Sequence, residues 1–326
     1  MTQPPDYLKS IIGQIRENPS FMIVSHENPD GDSLGAQLAM ALGLKSLGKK
    51  AVVRCKDQVP KIYDFLPGQD CLIISKEVKT DKGEILLVLD CGNLERTGLV
   101  FFPKTPNLII NIDHHISNNY FGHSNWVNSE ASATSEMVFL LLKYLDVKLN
   151  SSIATNLYTG ILTDTGSFQY SNTTAQCLNI ASQLVKSNVD PHYISSAVYD
   201  RKSLPGIRLM GQVLNDMEIY HDQSTAILTV TRETLKNYQA TYEDTEELAS
   251  IPLKISRIKI SILIKELNEE EYKISFRSKG KTDVGQIAEK LGGGGHPNAA
   301  GAKMYGKLSQ VKGEILKLSE KFLFHS

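Results

Sequence analysis

Between residues 21 and 115, four apolar runs of strand length, FMIVS, AVVRC, ILLVLD and LIINID, alternate with segments of helical periodicity. A chain that repeats this alternation folds most readily as βαβ units around a parallel sheet. The first intervening segment, SLGAQLAMALGLKSLG, sets Leu34, Leu38, Ala41 and Leu42 at helical spacing, with Asp32 or Ser33 placed to cap its start. SHENPDGD at 25–32 then falls at a strand-to-helix turn, for which Asn-Pro-Asp-Gly is also ordinary turn chemistry. Residues 132–198 lack strand patterns and read as helices, among them SATSEMVFLLLKYL and AQCLNIASQLVKS.

After the Pro-Gly punctuation of RKSLPGIR the pattern turns to strands: STAILTVT, RIKISILIKEL and EYKISFRSKG. In the last of these, Tyr272, Ile274 and Phe276 share one face, which puts Lys273, Ser275 and Arg277 on the other. A helix DVGQIAEKL, a loop GGGGHPNAAG and a terminal helix from about Leu308 complete a smaller lobe. The expected architecture is α/β in two lobes with a central cleft: an N-terminal parallel-sheet domain at 1–195, a linker at 196–211 and a C-terminal α/β domain at 212–326.

The chain has 326 residues, long enough for two cores. Lys plus Arg (35) against Asp plus Glu (36) gives a net charge of -1, so there is no global basic field for holding long nucleic acid. The four cysteines, Cys55, Cys71, Cys91 and Cys177, form no C-x-x-C pair, which argues against structural zinc and a disulfide framework. With no secretory pattern in MTQPPDYLKS and no apolar run of spanning length, the reading is a cytoplasmic protein without membrane partners.

Acids recur where the apolar runs end. HENPDGD carries His26, Asp30 and Asp32; LDCG ends on Asp90; LIINIDHH ends on Asp113, His114 and His115; and GILTDTGSF closes an apolar stretch with Asp164. The carboxyl ends of parallel strands share one edge, where ligands bind. Crowded carboxylates repel and raise one another's pKa, so the economical reason to gather them is a cation. Mixed oxygen and imidazole donors suit Mn(II) or a similar first-row ion.

Together, HENPDGD, LDCG, DHH and TDTGSF resemble the four motifs of the DHH phosphoesterase superfamily, and FRSKG followed by GGGGHPNAAG resembles its DHH-associated C-terminal domain. The resemblance spans residues 26–301 and is similar in extent to the stand-alone nanoRNase/pAp phosphatases. It implies two Mn(II) ions, with Mg(II) or Co(II) as substitutes: one held by His26, Asp30 and Asp90, the other by Asp32, Asp90, His114 and Asp164, with Asp90 shared. It implies a metal-activated water as nucleophile without a covalent intermediate, and it turns His115 toward the substrate phosphate. Adjacent side chains on a strand point to opposite faces, so His114 and His115 should not both bind one ion. Asp113 reads as the acid that orients a histidine, with a capping role open beside it.

In the second lobe the substrate-binding candidates are Arg277, Ser278, Gly293, Gly294, Gly295 and His296. Four glycines exceed what a helix C-cap needs, and bare backbone lets phosphate oxygens approach N–H groups. The implied substrates are short single-stranded RNA or DNA oligonucleotides and 3'-phosphoadenosine 5'-phosphate (pAp); cyclic di-AMP or linear pApA is the alternative, and a homodimer stays open. An inorganic pyrophosphatase, a long-strand exonuclease and a non-catalytic nucleotide sensor are the rivals. Arg96 reads equally as a site or surface arginine, while Tyr158, Phe168 and Tyr170 read as core packing and His123, His192, His221 and His325 as surface or polar-core residues.

Overall fold

The first four strand-length runs pair edge to edge as a parallel sheet in a computed structural model of the chain, which describes residues 4–81, 83–102 and 108–323, without the side chains of His296 and Leu323. His325 lies outside the described residues. Two units separate, Met1–Arg201 and Lys202–Ser326.

The first unit runs α1 (Asp6–Glu17), β1 (Ser20–Val24), α2 (Gly31–Ser46), β2 (Lys50–Cys55), β3 (Leu72–Ile74), β4 (Glu77–Lys79), β5 (Ile85–Leu89), β6 (Val100–Phe102), β7 (Leu108–Asp113), β8 (Ser124–Val127), α3 (Thr134–Tyr144), α4 (Ser151–Asp164), α5 (Ala175–Val185) and α6 (Pro191–Tyr199). Six strands form a sheet in the order β3-β2-β1-β5-β7-β8, with every pairing parallel. β4 and β6 pair separately. Strand order reverses between β1 and β5, so their carboxyl ends open the crevice where such sheets bind ligands.

Leu34, Leu38, Ala41 and Met40 of α2 are fully or almost fully buried, as are Gly31, Ser33 and Gln37, so this helix is enclosed on nearly all sides. It is capped by Asp30, not by Asp32 or Ser33: the Asp30 side chain accepts from Ser33 N at 2.9 Å, and Ser33 Oγ accepts from Asp30 N at 2.9 Å. Against it packs α4, at whose Gly160 a Cβ would lie 2.0 Å from Ser135 Oγ and 2.8 Å from Asp32 Oδ1. That close approach requires glycine.

The second unit runs α7 (Leu204–Asn215), β9 (Glu218–Tyr220), β10 (Thr225–Val230), α8 (Arg232–Tyr238), a 3-10 segment (Glu243–Lys254), β11 (Ile260–Asn268), β12 (Glu271–Ser278), α9 (Gly285–Lys290), β13 (Gly294–His296), β14 (Ala299–Tyr305) and α10 (Leu308–Leu323). Its sheet order is β13-β14-β12-β11-β10-β9, antiparallel except for β10 with β11. Ile262, Ile264, Tyr272, Ile274 and Phe276 pack with Ile287 and Ile315 on one face. Leu228, Val230 and Leu263 pack with Leu209, Val213 and Leu248 on the other.

Residues 196–211, expected as a linker, comprise the end of α6, a short connection and the first two turns of α7, whose Leu209 is completely buried in the second unit's core. GGGGHPNAAG is not a loop: Gly294–His296 pair antiparallel with Ala299–Gly301, making a hairpin at the sheet edge. A Cβ at Gly293 would lie 2.1 Å from Gly301 O, whereas one at Gly294 would meet nothing within 4 Å. Backbone crowding therefore demands the first of these glycines but not the second. Among the described residues, no helix is long and apolar enough to cross a membrane.

Candidate metal centre

Three sequence motifs meet at the carboxyl edge of the first sheet. His26 follows β1, Asp90 follows β5 and Asp113 ends β7. Asp90 adopts φ 55°, a left-handed conformation that aspartate tolerates better than most residues, and its N–H donates to Ile112 O at 3.0 Å. Asp164 arrives differently, as the last residue of α4, so a helix end and not a strand end completes the set.

Three groups of donor atoms lie within 4.8 Å of one another: His26, Asp30 and Asp90; Asp32, His114 and Asp164; and Asp90, His114 and His115. Asp90 joins the first and third. Its Oδ2 is 3.5 Å from His26 Nε2, and its Oδ1 is 3.6 Å from His114 Nε2. His114 Nε2 is also 3.6 Å from Asp164 Oδ2, and His26 Nε2 is 3.7 Å from Asp30 Oδ2.

The histidines are oriented by their other ring nitrogens. His26 Nδ1 donates to Glu27 O at 2.8 Å and His114 Nδ1 to Ala131 O at 3.3 Å, so both aim Nε2 at the carboxylates. Metal-ligating histidines are commonly fixed in this way. His115 is turned the other way, with Nδ1 donating to Asp113 Oδ1 at 2.7 Å and lying 3.6 Å from Asp90 Oδ1. Because the strand ends at Asp113, its face alternation goes no further, and both rings lie beside Asp90 with their centroids 4.9 Å apart.

Sequence reasoning missed the N-terminus of α3. Ala133, a poor N-cap, makes no side-chain cap bond. Asp32 supplies the cap from α2, accepting from Thr134 N at 2.7 Å and Ser135 N at 2.8 Å, where the helix dipole favours negative charge. Thr134 Oγ1 donates to Asp90 Oδ1 at 3.1 Å. The polar start SATSE without a capping residue at Ala133 was the available signal. Asn118 was missed too: its Nδ2 donates to Asp113 Oδ2 at 2.6 Å and to Asn111 Oδ1 at 2.8 Å.

The electrostatics of the cluster fit a cation of matching charge. Burial, then repulsion from Asp90 and Asp164, pushes Asp32 well above the ordinary carboxylate range. Burial together with Asp90 and Asp30 lifts Asp164 to about 6, against the pull of His114. Burial would lower both imidazoles, but Asp30 and Asp90 raise His26 to about 11, and Asp90, Asp32 and Asp164 raise His114 to about 9. Protons would thus do the neutralising that cations do better: four ionised carboxylates balance two divalent ions, and the oxygen and imidazole donors fit hard or borderline metals.

In the second unit, register sets His296 opposite Ala299, and Ala299 opposite Arg277, so the three occupy one row across β13, β14 and β12. Arg277 Nη1 donates to Phe276 O at 3.0 Å. The side chain of His296 is outside the described residues. Ser278, expected at the substrate, is 7% exposed, and its hydroxyl donates to Thr282 O at 2.6 Å while accepting from Asn298 Nδ2 at 2.9 Å. It shapes the hairpin entry rather than presenting a hydroxyl outward. Tyr158 and Phe168 pack edge to face as expected, whereas Tyr170 is 63% exposed and not a core residue.

Residues 20–161 match the DHH family, N-terminal domain, and residues 223–323 match the DHHA1 domain. The chain is 35% identical over 302 residues to the bifunctional oligoribonuclease and PAP phosphatase NrnA of Thermus thermophilus, an alignment covering 92% of this chain and 89% of that protein. It is 29% identical over 291 residues to the protein of the same name from Bacillus subtilis, covering 88% and 90%. An exopolyphosphatase-related protein from Bacteroides fragilis has the same fold, with a TM-score of 0.88 at 29% identity over 97% of this chain and 96% of that one. The chain belongs to the DHH family of phosphoesterases, metal-dependent hydrolases of phosphate esters.

Proposed function

We propose that the chain is a Mn(II)-dependent phosphoesterase that hydrolyses short single-stranded RNA or DNA oligonucleotides and the 3'-phosphate of pAp. One observation carries the reading: Asp90 presents one oxygen to His26 and the other to His114, so a single carboxylate serves two donor sets. His26, Asp30 and Asp90 would hold one ion, and Asp32, Asp90, His114 and Asp164 the other. Bound there, the ions would lower the pKa of a water and neutralise phosphate charge. The names of the 35% and 29% identical relatives support the two substrate classes.

The chain's own residues supply the rest. Asp113 fixes His115 through Nδ1, so a proton passed to the leaving oxygen goes through Nε2. Thr134 and the α3 N-terminus hold Asp90 and Asp32 in place. Arg277 suits bidentate contact with phosphate, the uncrowded backbone at Gly294 suits close approach of phosphate with Gly295 beside it, and His296 adds a further donor, while Gly293, whose N–H donates to Ala288 O at 2.8 Å, shapes the strand that presents them.

The test is release of AMP from pAp, pApA, a five-nucleotide RNA and cyclic di-AMP, measured side by side on metal-stripped protein resupplied with Mn(II). Turnover of pAp, pApA and the RNA is expected, with none before metal is restored. Turnover of cyclic di-AMP alone would replace this reading with the cyclic-dinucleotide one.

A further inference from the structure

On the sheet face of the second unit that carries Arg277, cross-strand register sets Lys265 of β11 opposite Lys273 of β12, and Lys273 opposite Lys303 of β14. Three lysines thus stand in one row across three adjacent strands. Like charges directly opposite each other destabilise a sheet, so the arrangement costs stability unless an anion joins it. Glu271 offsets part of the charge, with Oε1 3.5 Å from Lys303 Nζ. Lys265 is 7% exposed, and burial together with the charges of Lys273 and Arg277 lowers its pKa against the pull of Glu246. The Lys303 side chain is 61% exposed and Lys273 is exposed, so a ligand can reach the row.

Two features set what the ligand is. The row lies four residues along β12 from Arg277, about 13 Å at the usual strand rise, a backbone separation longer than the span between the two phosphates of one nucleotide. Two residues beyond Lys303 on the same face stands Tyr305, 70% exposed, an open ring on which a base can stack. Neither Ser275 nor Gly301, which pair between the two basic rows, puts a bulky side chain in the way.

We propose that Lys265, Lys273, Lys303 and Tyr305 form a second nucleotide subsite, binding a backbone phosphate and its neighbouring base in oligonucleotides longer than a dinucleotide. The proposal rests on the phosphoesterase reading above, and it makes this face the element that separates oligonucleotides from pAp. Lys273 and Lys303 hold the phosphate, Lys265 biases the field from beneath the 3-10 segment, and Tyr305 orders the base.

The experiment measures binding of fluorescently labelled five-nucleotide RNA and labelled pApA to the full chain, with hydrolysis suppressed by EDTA. In the double variant Lys273→Glu, Lys303→Glu the pentanucleotide should bind about tenfold or more weakly, with pApA changed less than about threefold. The slope of affinity against salt should fall by about 0.7 per lysine lost. Lys273→Gln, Lys303→Gln should give the same ordering with a smaller effect, and Tyr305→Ala should weaken only the pentanucleotide. Unchanged pentanucleotide binding, or equal losses for both ligands, would overturn the subsite. A parallel turnover assay of wild-type protein keeps the two readings apart: inactivity toward both pAp and the RNA counts against the phosphoesterase proposal, while the binding ratio still decides the subsite.

Discussion

Asp113 Oδ1 accepts a 2.7 Å hydrogen bond from His115 Nδ1, and the same carboxylate's Oδ2 accepts one from Asn118 Nδ2 at 2.6 Å. A wholly buried acid thus ties a histidine beside the candidate metal centre to the loop that follows it. Burial would raise this carboxyl, but His115 and Asn118 hold it below the ordinary range. It therefore stays ionised at neutral pH, and the stability it contributes is lost only as pH falls through its depressed pKa. Asp113→Ala should lower kcat about 10- to 100-fold with much smaller change in Mn(II) affinity, as a positioning role requires. Steady-state kinetics beside a metal titration will show whether the two separate.

Thr134→Val keeps shape and removes the hydroxyl that donates to Asp90. A hydrogen bond to a charged group is worth about 2 kcal/mol, so Mn(II) affinity or kcat/KM should fall about 30-fold, and Thr134→Ser should restore most of it. A silent Thr134→Val would remove the hydroxyl from the account.

Metal and protons should compete at this centre. With Asp164 raised to about 6, His114 to about 9 and His26 to about 11, the metal-free fold binds these protons more tightly than the unfolded chain does. Stability from the two histidines is complete below about 6.5 and drains away as pH rises toward their folded values; ionising Asp164 also costs stability as pH rises through about 6. Metal-free protein should thus lose thermal stability between pH 6 and 9, whereas Mn(II) affinity should rise over the same span because binding displaces protons. Melting curves with and without Mn(II), and calorimetry in buffers of different ionisation enthalpy, read both slopes.

The glycine hairpin separates structural from ligand-facing positions. Gly293→Ala drives a Cβ into the Gly301 carbonyl and should destabilise the second unit by about 1–3 kcal/mol. Gly294→Val meets open space and should leave melting nearly unchanged while raising KM. Thermal melts paired with KM for pAp distinguish them.

Strand-length apolar runs made the core of the first sheet legible, and period-two alternation did the same for β12, because burial on one or both faces writes itself into residue type. β8 was not legible: SNWV has no apolar pattern, since the strand sits at the sheet edge with three of its four residues half-buried. The hairpin β13–β14 was hidden because glycines pair by backbone alone. The residues of the candidate donor cluster were legible, since carboxylates after strands are chemically conspicuous, but their arrangement was not. The strand ends at Asp113, Asp30 doubles as a helix cap, and the Thr134 and Ser135 amides meet Asp32 across more than a hundred residues. Such contacts belong to tertiary packing, on which local spacing is silent.

Asp90→Ala tests the account most directly, because that one carboxylate is assigned to both ions. It should fold, as judged by melting and circular dichroism, yet turn over pAp and a five-nucleotide RNA at least about a hundredfold more slowly in Mn(II) and bind the ion more weakly. A folded Asp90→Ala protein that retained more than about a tenth of wild-type turnover would contradict the shared-ligand centre.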